Sequence, residues 1–124
     1  MTVPDNCRYT ADHVWARLEG CLVSIGITDH AQDELSDVVF VELPDMGGIE
    51  KASPVAVIES VKTARDIYAP ISGEIVEINI DLVTDPTKIN NDPYNTGWIF
   101  KMRVDDASQY EALIDASSYI NAVR

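Results

Sequence analysis

Short runs in which apolar and polar residues alternate cover much of the chain, and this period of two predicts β-strands. Residues 13–18 alternate first, and after a turn at 19–20 one face of the returning segment 21–27 is apolar. Similar alternation covers 55–62 and 74–80. Several short strands joined by turns are typical of a compact β-sandwich or barrel.

Other segments depart from this alternation. Residues 38–41 form a continuous apolar run, which predicts a strand that is buried on both faces. Proline and glycine predict a loop over 43–48, and two prolines with three asparagines predict a long polar loop over 84–96. The segment 97–104 supplies the last predicted strand.

Two helices are expected beside the strands. Thr28 or Asp29 can cap a short helix over 30–37, and Asp105 or Asp106 can cap a helical tail whose apolar residues recur at helical spacing. The sequence has no linker. We therefore predict a mainly β protein, a flattened β-barrel or sandwich with a short internal helix and a C-terminal helix, as a single domain over 1–124.

The charge balance restricts the classes of partner. The chain has 21 acidic and 9 scattered basic residues, with a net charge of −12. This balance argues against nucleic-acid binding and favours partners with basic or mixed surfaces. Because the sequence has no apolar run of membrane-spanning length and no export signal, we expect no membrane association and a cytoplasmic location.

No motif in the sequence demands catalysis or a metal. Cys7 and Cys21 lie at opposite ends of the first predicted hairpin, so we expect free thiols. Only His13 and His30 could join them as metal ligands, and we expect no metal site. Neither a nucleophile elbow nor a phosphate-binding loop is present, which predicts a protein that is not an enzyme.

Lys62 stands out because it lies where two alternating runs meet. The chain reverses about Val61-Lys62, so the lysine is expected at the tip of a β-hairpin, exposed and free of side-chain neighbours. The tip reads Glu59-Ser60-Val61-Lys62, and Gly73 follows eleven residues after the lysine. These features distinguish Lys62 from an ordinary solvated surface lysine.

The tip resembles the lipoylation site of lipoyl-carrier domains, and most closely that of the H protein of the glycine cleavage system. The likeness extends from about residue 8 to the end of the chain. Matching segments are Tyr9 with His13 and Trp15, and then residues 25–32, 39–44, 66–74, 93–94 and 97–98.

The resemblance implies a lipoyl-domain-like fold and a lipoic acid cofactor in amide linkage to Lys62. A lipoate ligase or lipoyl transferase would attach it, and the arm would travel between partner enzymes as a tethered group of high effective concentration. The protein would be a carrier and not a catalyst, and a monomer is expected. Its acidic surface would serve as the docking face.

The sequence departs from the family near the place where the cargo is expected to rest. Val14 occupies a position at which the family has a glutamate, while Asp66 is retained. Asp12 could replace the missing carboxylate, but as a strand neighbour it is expected on the opposite face. Arg65 adds a cation beside the arm. His30 is expected either near the arm or in a capping or surface position.

These departures leave three functions. Loss of a carboxylate and gain of Arg65 favour an anionic cargo, and so a lipoate-binding H-like protein of a heterodisulfide-reductase-like sulfur oxidation system. The alternative is a glycine cleavage H protein, which carries an aminomethyl group between glycine decarboxylase, aminomethyltransferase and dihydrolipoyl dehydrogenase. The second alternative is an unlipoylated interaction module.

Overall fold

The computed structural model describes residues 1–123, which form strands and short helices. The strands are β1 (Arg8–Tyr9), β2 (Val14–Glu19), β3 (Leu22–Ile27), β4 (Val38–Glu42), β5 (Gly47–Ile49), β6 (Pro54–Ser60), β7 (Ala64–Tyr68), β8 (Gly73–Ile78) and β9 (Phe100–Val104). The helices are α1 (Asp29–Leu35), α2 (Asp81–Thr84), α3 (Lys88–Asn91), α4 (Ala107–Glu111) and α5 (Ala116–Val123).

The strands form two antiparallel sheets. One has six strands in the order β1-β2-β3-β9-β8-β5, and the other has three in the order β4-β6-β7. The main core takes side chains from both, such as Ile25 and Phe100 from the first and Ile58 and Ile67 from the second. The predicted mainly β sandwich is therefore confirmed.

The alternating runs fold into two hairpins. In β2–β3, Val14 pairs with Ile27 and Glu19 with Leu22, and Gly20 makes the turn with a positive φ of 66°. In β6–β7, Glu59 pairs with Ala64. Lys62 therefore lies at the hairpin tip, as its position between the two runs predicts.

The helix caps follow the sequence in two places. Thr28 caps α1, because its hydroxyl accepts a hydrogen bond from the Ala31 N–H at 3.2 Å. Asp106 caps α4 by accepting from the Ser108 N–H at 2.9 Å. The C-terminal tail, however, is two helices and not one. Between them Ile114 exchanges backbone hydrogen bonds of 2.8 and 2.9 Å with Tyr9, which interrupts the helix.

Three further local predictions are wrong. Residues 38–41 are not buried on both faces, because β4 is an edge strand with a bulge that leaves Val39 55% and Phe40 50% exposed. Residues 43–48 are not wholly a loop, since β5 begins at Gly47 and pairs with β8. The polar stretch 84–96 contains α3, whose Ile89 is fully buried.

The two cysteines are as the sequence predicts. Both cysteines are free thiols, with Cys7 buried and Cys21 exposed. Burial raises the pKa of the Cys7 thiol, which keeps it protonated at neutral pH. Among residues 1–123, no helix is both long enough and apolar enough to cross a bilayer.

Candidate functional site

The tip of the β6–β7 hairpin is organised by the side chain of Ser60. Its Oγ accepts hydrogen bonds from the backbone N–H groups of Lys62 at 3.1 Å and Thr63 at 3.2 Å. The Ser60 N–H donates to the Thr63 carbonyl at 2.8 Å, and the Val61 N–H donates to the Asp37 carbonyl at 3.0 Å. These bonds fix the backbone on both sides of Lys62, so the lysine projects from a defined position.

Lys62 is exposed and makes few contacts. Its Nζ donates to the backbone carbonyl of Glu34 at 3.2 Å, and within residues 1–123 it belongs to no ion pair. Glu59 is exposed before the turn, and Val61 is 65% exposed within it. Acylation of the Lys62 amine would therefore give up one exposed hydrogen bond and no ion pair. The Lys62 amine is therefore accessible to acylation.

Glu34, near the end of α1, connects the hairpin to the helix. One carboxylate oxygen accepts a hydrogen bond from Arg65 Nη2 at 3.0 Å, and the other lies 3.5 Å from His30 Nε2. The hydrogen bond from Arg65 is the main reason why the pKa of Glu34 is lowered. The Arg65 charge is thus already paired within the protein.

His13 packs against His30 at the start of β2, with ring centroids 4.5 Å apart. Its backbone is left-handed, with φ at 67°, and its Nδ1 lies 2.8 Å from the Tyr119 hydroxyl. That hydroxyl is also bonded to Thr28 Oγ1 at 2.8 Å. Burial, and then the neighbouring His30, lower the pKa of His13, which is therefore neutral at pH 7.

A cleft of about 380 Å³ opens beside this group of residues. Its lining residues are Ala11, Asp12, His13, Arg65, Asp66 and Tyr68. A more apolar groove of about 430 Å³ shares Ala11, Asp12 and Tyr68 with it. Asp12 and Asp66 are both exposed, and within residues 1–123 neither belongs to an ion pair. Within residues 1–123 the cleft therefore has two carboxylates outside ion pairs, together with Arg65, which is paired with Glu34 through Nη2 while its Nη1 is buried without a hydrogen-bond partner.

The structure corrects two predictions about this cleft. Asp12 was expected on the face opposite the site, but it lies in the turn before β2 and lines the cleft. Strand alternation does not apply to a turn residue. Val14, predicted to lie beside the arm, is instead 1% exposed in the main core. Its apolar side chain therefore follows from packing.

The remaining predicted residues are brought together. Lys62, Arg65 and His30 all contact Glu34, and Asp66 lies with Arg65 along the cleft. Glu34 itself was not predicted from the sequence, although it lies four residues after His30 on a predicted helix, the spacing of an ion pair. Tyr119 was not predicted either, because it lies 91 residues from Thr28 and gave no local signal.

A small β-sandwich that presents an exposed lysine on an ordered hairpin tip, beside a surface cleft, defines the class of carriers with a lysine-linked swinging arm. Residues 7–124 match the family model described as Glycine cleavage H-protein. The chain belongs to this family. The match confirms the predicted family. Members of this family carry lipoate and are carriers, not catalysts, so the predicted cofactor and the expectation that the protein is not an enzyme are confirmed as well.

Relatives agree over almost the whole chain. A glycine cleavage system H protein of Alteromonas mediterranea is 50% identical over 123 residues, which cover 98% of this chain and 95% of that protein. The one from Thermus thermophilus is 52% identical over 120 residues, covering 96% and 94%. The crystal structure of a glycine cleavage system H protein from Mycobacterium marinum superposes with a TM-score of 0.88 at 37% identity, covering 98% of each chain.

Proposed function

We propose that this chain is a glycine cleavage H protein that carries an aminomethyl group on a lipoyl arm attached to Lys62. The observation that carries the proposal is the charge of the cleft beside the hairpin. Asp12 and Asp66 line it without ion-pair partners among residues 1–123, whereas Arg65 is paired with Glu34. A cleft with two free carboxylates favours an ammonium cargo over an anionic one.

The same observation weakens the sulfur-oxidation prediction. That prediction depended on Val14 and Arg65, but Val14 lies in the core and the Arg65 charge is neutralised by a carboxylate at 3.0 Å. The relatives from Alteromonas, Thermus and Mycobacterium also carry glycine cleavage names. We therefore prefer the alternative that the sequence left open.

The chain contributes position and charge to the proposed reaction cycle. Lys62 offers its amine to a lipoate ligase or lipoyl transferase, and Ser60 holds the backbone that this enzyme would read. When bound, lipoate supplies a disulfide that opens to accept the transferred group and later reseals by oxidation. Asp12 and Asp66 would attract the ammonium of the cargo to the cleft, and Tyr68 would line the groove beside it.

The proposed partners are the glycine decarboxylase, the aminomethyltransferase and the dihydrolipoyl dehydrogenase of the system. An acidic carrier should meet them through basic or mixed surfaces. The cytoplasmic location and the monomeric state stay predictions.

The first test is whether Lys62 is the attachment site. Intact mass spectrometry after incubation with a lipoate ligase and lipoate should show one lipoyl increment on the native chain and on Lys51→Ala, which removes another exposed lysine. Lys62→Ala should show none. A native chain that gains no increment would instead support the unlipoylated interaction module.

The second test concerns the cargo. The lipoylated protein should accept the aminomethyl group in the glycine decarboxylase reaction, measured as release of labelled CO₂ from glycine. Asp12→Asn with Asp66→Asn should lower kcat/KM by roughly fivefold, since two favourable charges at an exposed site are worth on the order of 1 kcal/mol. No transfer by the lipoylated native chain would exclude the glycine cleavage role.

A further inference from the structure

Both histidines of the chain meet at one place, together with Glu34. A ring nitrogen of His13, a ring nitrogen of His30 and a carboxylate oxygen of Glu34 all lie within 4.8 Å of one another. His30 and Glu34 lie one turn apart on α1, whereas His13 reaches them from the turn before β2. The fold therefore assembles a ligand set that the spacing of the histidines did not reveal.

The separations suit a small divalent ion. Ligand atoms about 2.0–2.1 Å from a tetrahedral zinc ion lie on the order of 3.3 Å apart, which is the edge of that tetrahedron. His30 Nε2 and Glu34 Oε2 are already 3.5 Å apart, and the two imidazole rings are 4.5 Å apart between centroids. The ligand atom of His13 lies within 4.8 Å of both of these atoms, so ion binding would require the three groups to draw closer together.

Two of the three ligands also make hydrogen bonds to neighbouring groups, as metal-binding side chains usually do. His13 Nδ1 is engaged by the Tyr119 hydroxyl at 2.8 Å, which leaves Nε2 for an ion. Glu34 is bonded through one oxygen to Arg65 Nη2 at 3.0 Å, which leaves the oxygen that faces His30. Each of these two ligands therefore has an outer hydrogen-bond partner and keeps a second atom free of that bond.

Charged groups around the cluster act in both directions. The charged groups that face the cluster are Arg65, which opposes a cation, and Glu34 and Asp12, which favour it. An ordinary ion pair between His30 and Glu34 explains their contact, but it does not explain why the second imidazole lies against the first, with the ring planes tilted by 41°.

We propose that His13, His30 and Glu34 form a binding site for a divalent transition-metal ion of the zinc type. Two histidines and one glutamate leave a fourth position for water or another ligand, as in catalytic zinc sites. The site adjoins the lysine hairpin, because the Lys62 amine is bonded to the backbone carbonyl of Glu34. The proposal does not depend on whether Lys62 is lipoylated.

The test uses the full unmodified chain without a histidine tag and with Cys21→Ser, because the exposed Cys21 thiol would itself bind zinc. Zn²⁺ alone is titrated in competition with a chromophoric chelator, and ring-proton NMR follows the only two histidines of the chain. We expect one Zn²⁺ per chain and shifts of both histidine signals. His30→Gln and Glu34→Gln should each weaken binding at least about tenfold.

Glu74→Gln is the matched control. Glu74 is also an exposed carboxylate bonded to an arginine, Arg103, at 2.6 Å, but it lies away from the histidines. It should bind Zn²⁺ like the background protein. Absence of stoichiometric binding, binding that His30→Gln leaves unchanged, or an equal loss in Glu74→Gln would each overturn the proposal. Circular dichroism of each variant, unchanged from the background, confirms that a loss of binding is not a loss of fold.

Discussion

The Ser60 hydroxyl has a larger role at the hairpin tip than its size suggests. It accepts from two successive backbone N–H groups, those of Lys62 and Thr63, and it also lies 3.2 Å from the Thr63 carbonyl. The turn itself is exposed, and besides this hydroxyl it is restrained by the backbone hydrogen bonds from Ser60 to Thr63 and from Val61 to Asp37. The Ser60 side chain therefore limits the range of positions in which the lysine is presented to a modifying enzyme.

Ser60→Ala should slow lipoylation more than it destabilises the protein. A hydrogen bond of this kind is worth about 1 kcal/mol, so urea unfolding should show a loss of about that size or less. The kcat/KM of a lipoate ligase for the variant should fall roughly five- to tenfold. Ser117→Ala, at an exposed serine on α5, should change neither quantity. Equal lipoylation rates for the two variants would contradict this role.

His13 should make the stability of the protein depend on pH. Its pKa is lowered in the folded state by burial and by His30, so the unfolded chain binds more protons below about pH 6.5, its ordinary pKa. Stability is therefore fully present above about pH 6.5 and falls as the pH decreases toward the lowered pKa of the folded state. Glu34, which faces the ring, stays ionised through this range, because the hydrogen bond from Arg65 lowers its pKa.

His13→Asn should flatten this dependence. Asparagine tolerates the left-handed backbone at this position, so the variant should fold, although with lower stability. Free energies of unfolding in urea, measured from about pH 5.5 to about pH 7.5, should slope less in the variant than in the native chain. Carboxylates titrate equally in both proteins, so a difference between the two slopes reports the titration of His13. Identical slopes would mean that another group causes the pH dependence of stability.

Among the strands, β8 is the one most sensitive to an added side-chain atom. It lies between β9 and β5, and a Cβ on Gly73 would overlap the Arg103 carbonyl oxygen on β9. Because that oxygen belongs to the backbone, it cannot rotate away. Gly73 is thus required by close strand approach rather than by an unusual backbone angle.

Gly73→Ala should destabilise the protein by about 2–3 kcal/mol, the upper part of the range for overpacking, because the neighbour is a backbone atom. Gly48→Ala is the matched control, because a Cβ added at Gly48 in β5 would meet no atom within 4 Å and the φ there is not positive. It should change the free energy of unfolding by less than about 0.5 kcal/mol. The comparison is made by urea denaturation, and similar losses for the two alanines would refute the steric explanation.

Local patterns predicted those parts of the fold in which one face of a strand is buried. The hairpins β2–β3 and β6–β7 follow from alternation, and the Thr28 cap follows from residue type. Short strand β5 and the exposure of Phe40 could not be predicted, because both depend on which strand lies at a sheet edge. That arrangement is decided by contacts between distant segments.

The candidate site shows the same division. Lys62 could be located from the sequence because a hairpin tip is a local feature. The contacts of Glu34 with Arg65, and of His13 with Tyr119, join residues 31 and 106 positions apart, so no local pattern contains them. Asp12 was misplaced because strand alternation was extended one turn too far. Contacts between residues that are far apart in the sequence therefore determine the charge of the cleft.

The molecule as a whole is strongly acidic, and this charge acts in two opposite ways. A net charge of −12 on 124 residues repels itself in the folded state and attracts basic partner surfaces. Only a few carboxylates are offset by ion pairs within residues 1–123, such as Glu74 by Arg103 and Glu77 by Lys101. Salt screens both effects, so it should stabilise the folded chain while weakening its encounters with partners.

Raising the ionic strength from about 0.01 M to about 0.15 M shortens the Debye length from about 30 Å to about 8 Å. Over this range the melting temperature of the chain should rise, because self-repulsion is screened. The KM of glycine decarboxylase for the lipoylated protein should rise as well, while kcat changes little, because screening acts on encounter and not on the bound cargo. The calorimetric and kinetic series use the same buffers. If the partner surface is not basic, KM will not change with salt, while the melting temperature will still rise.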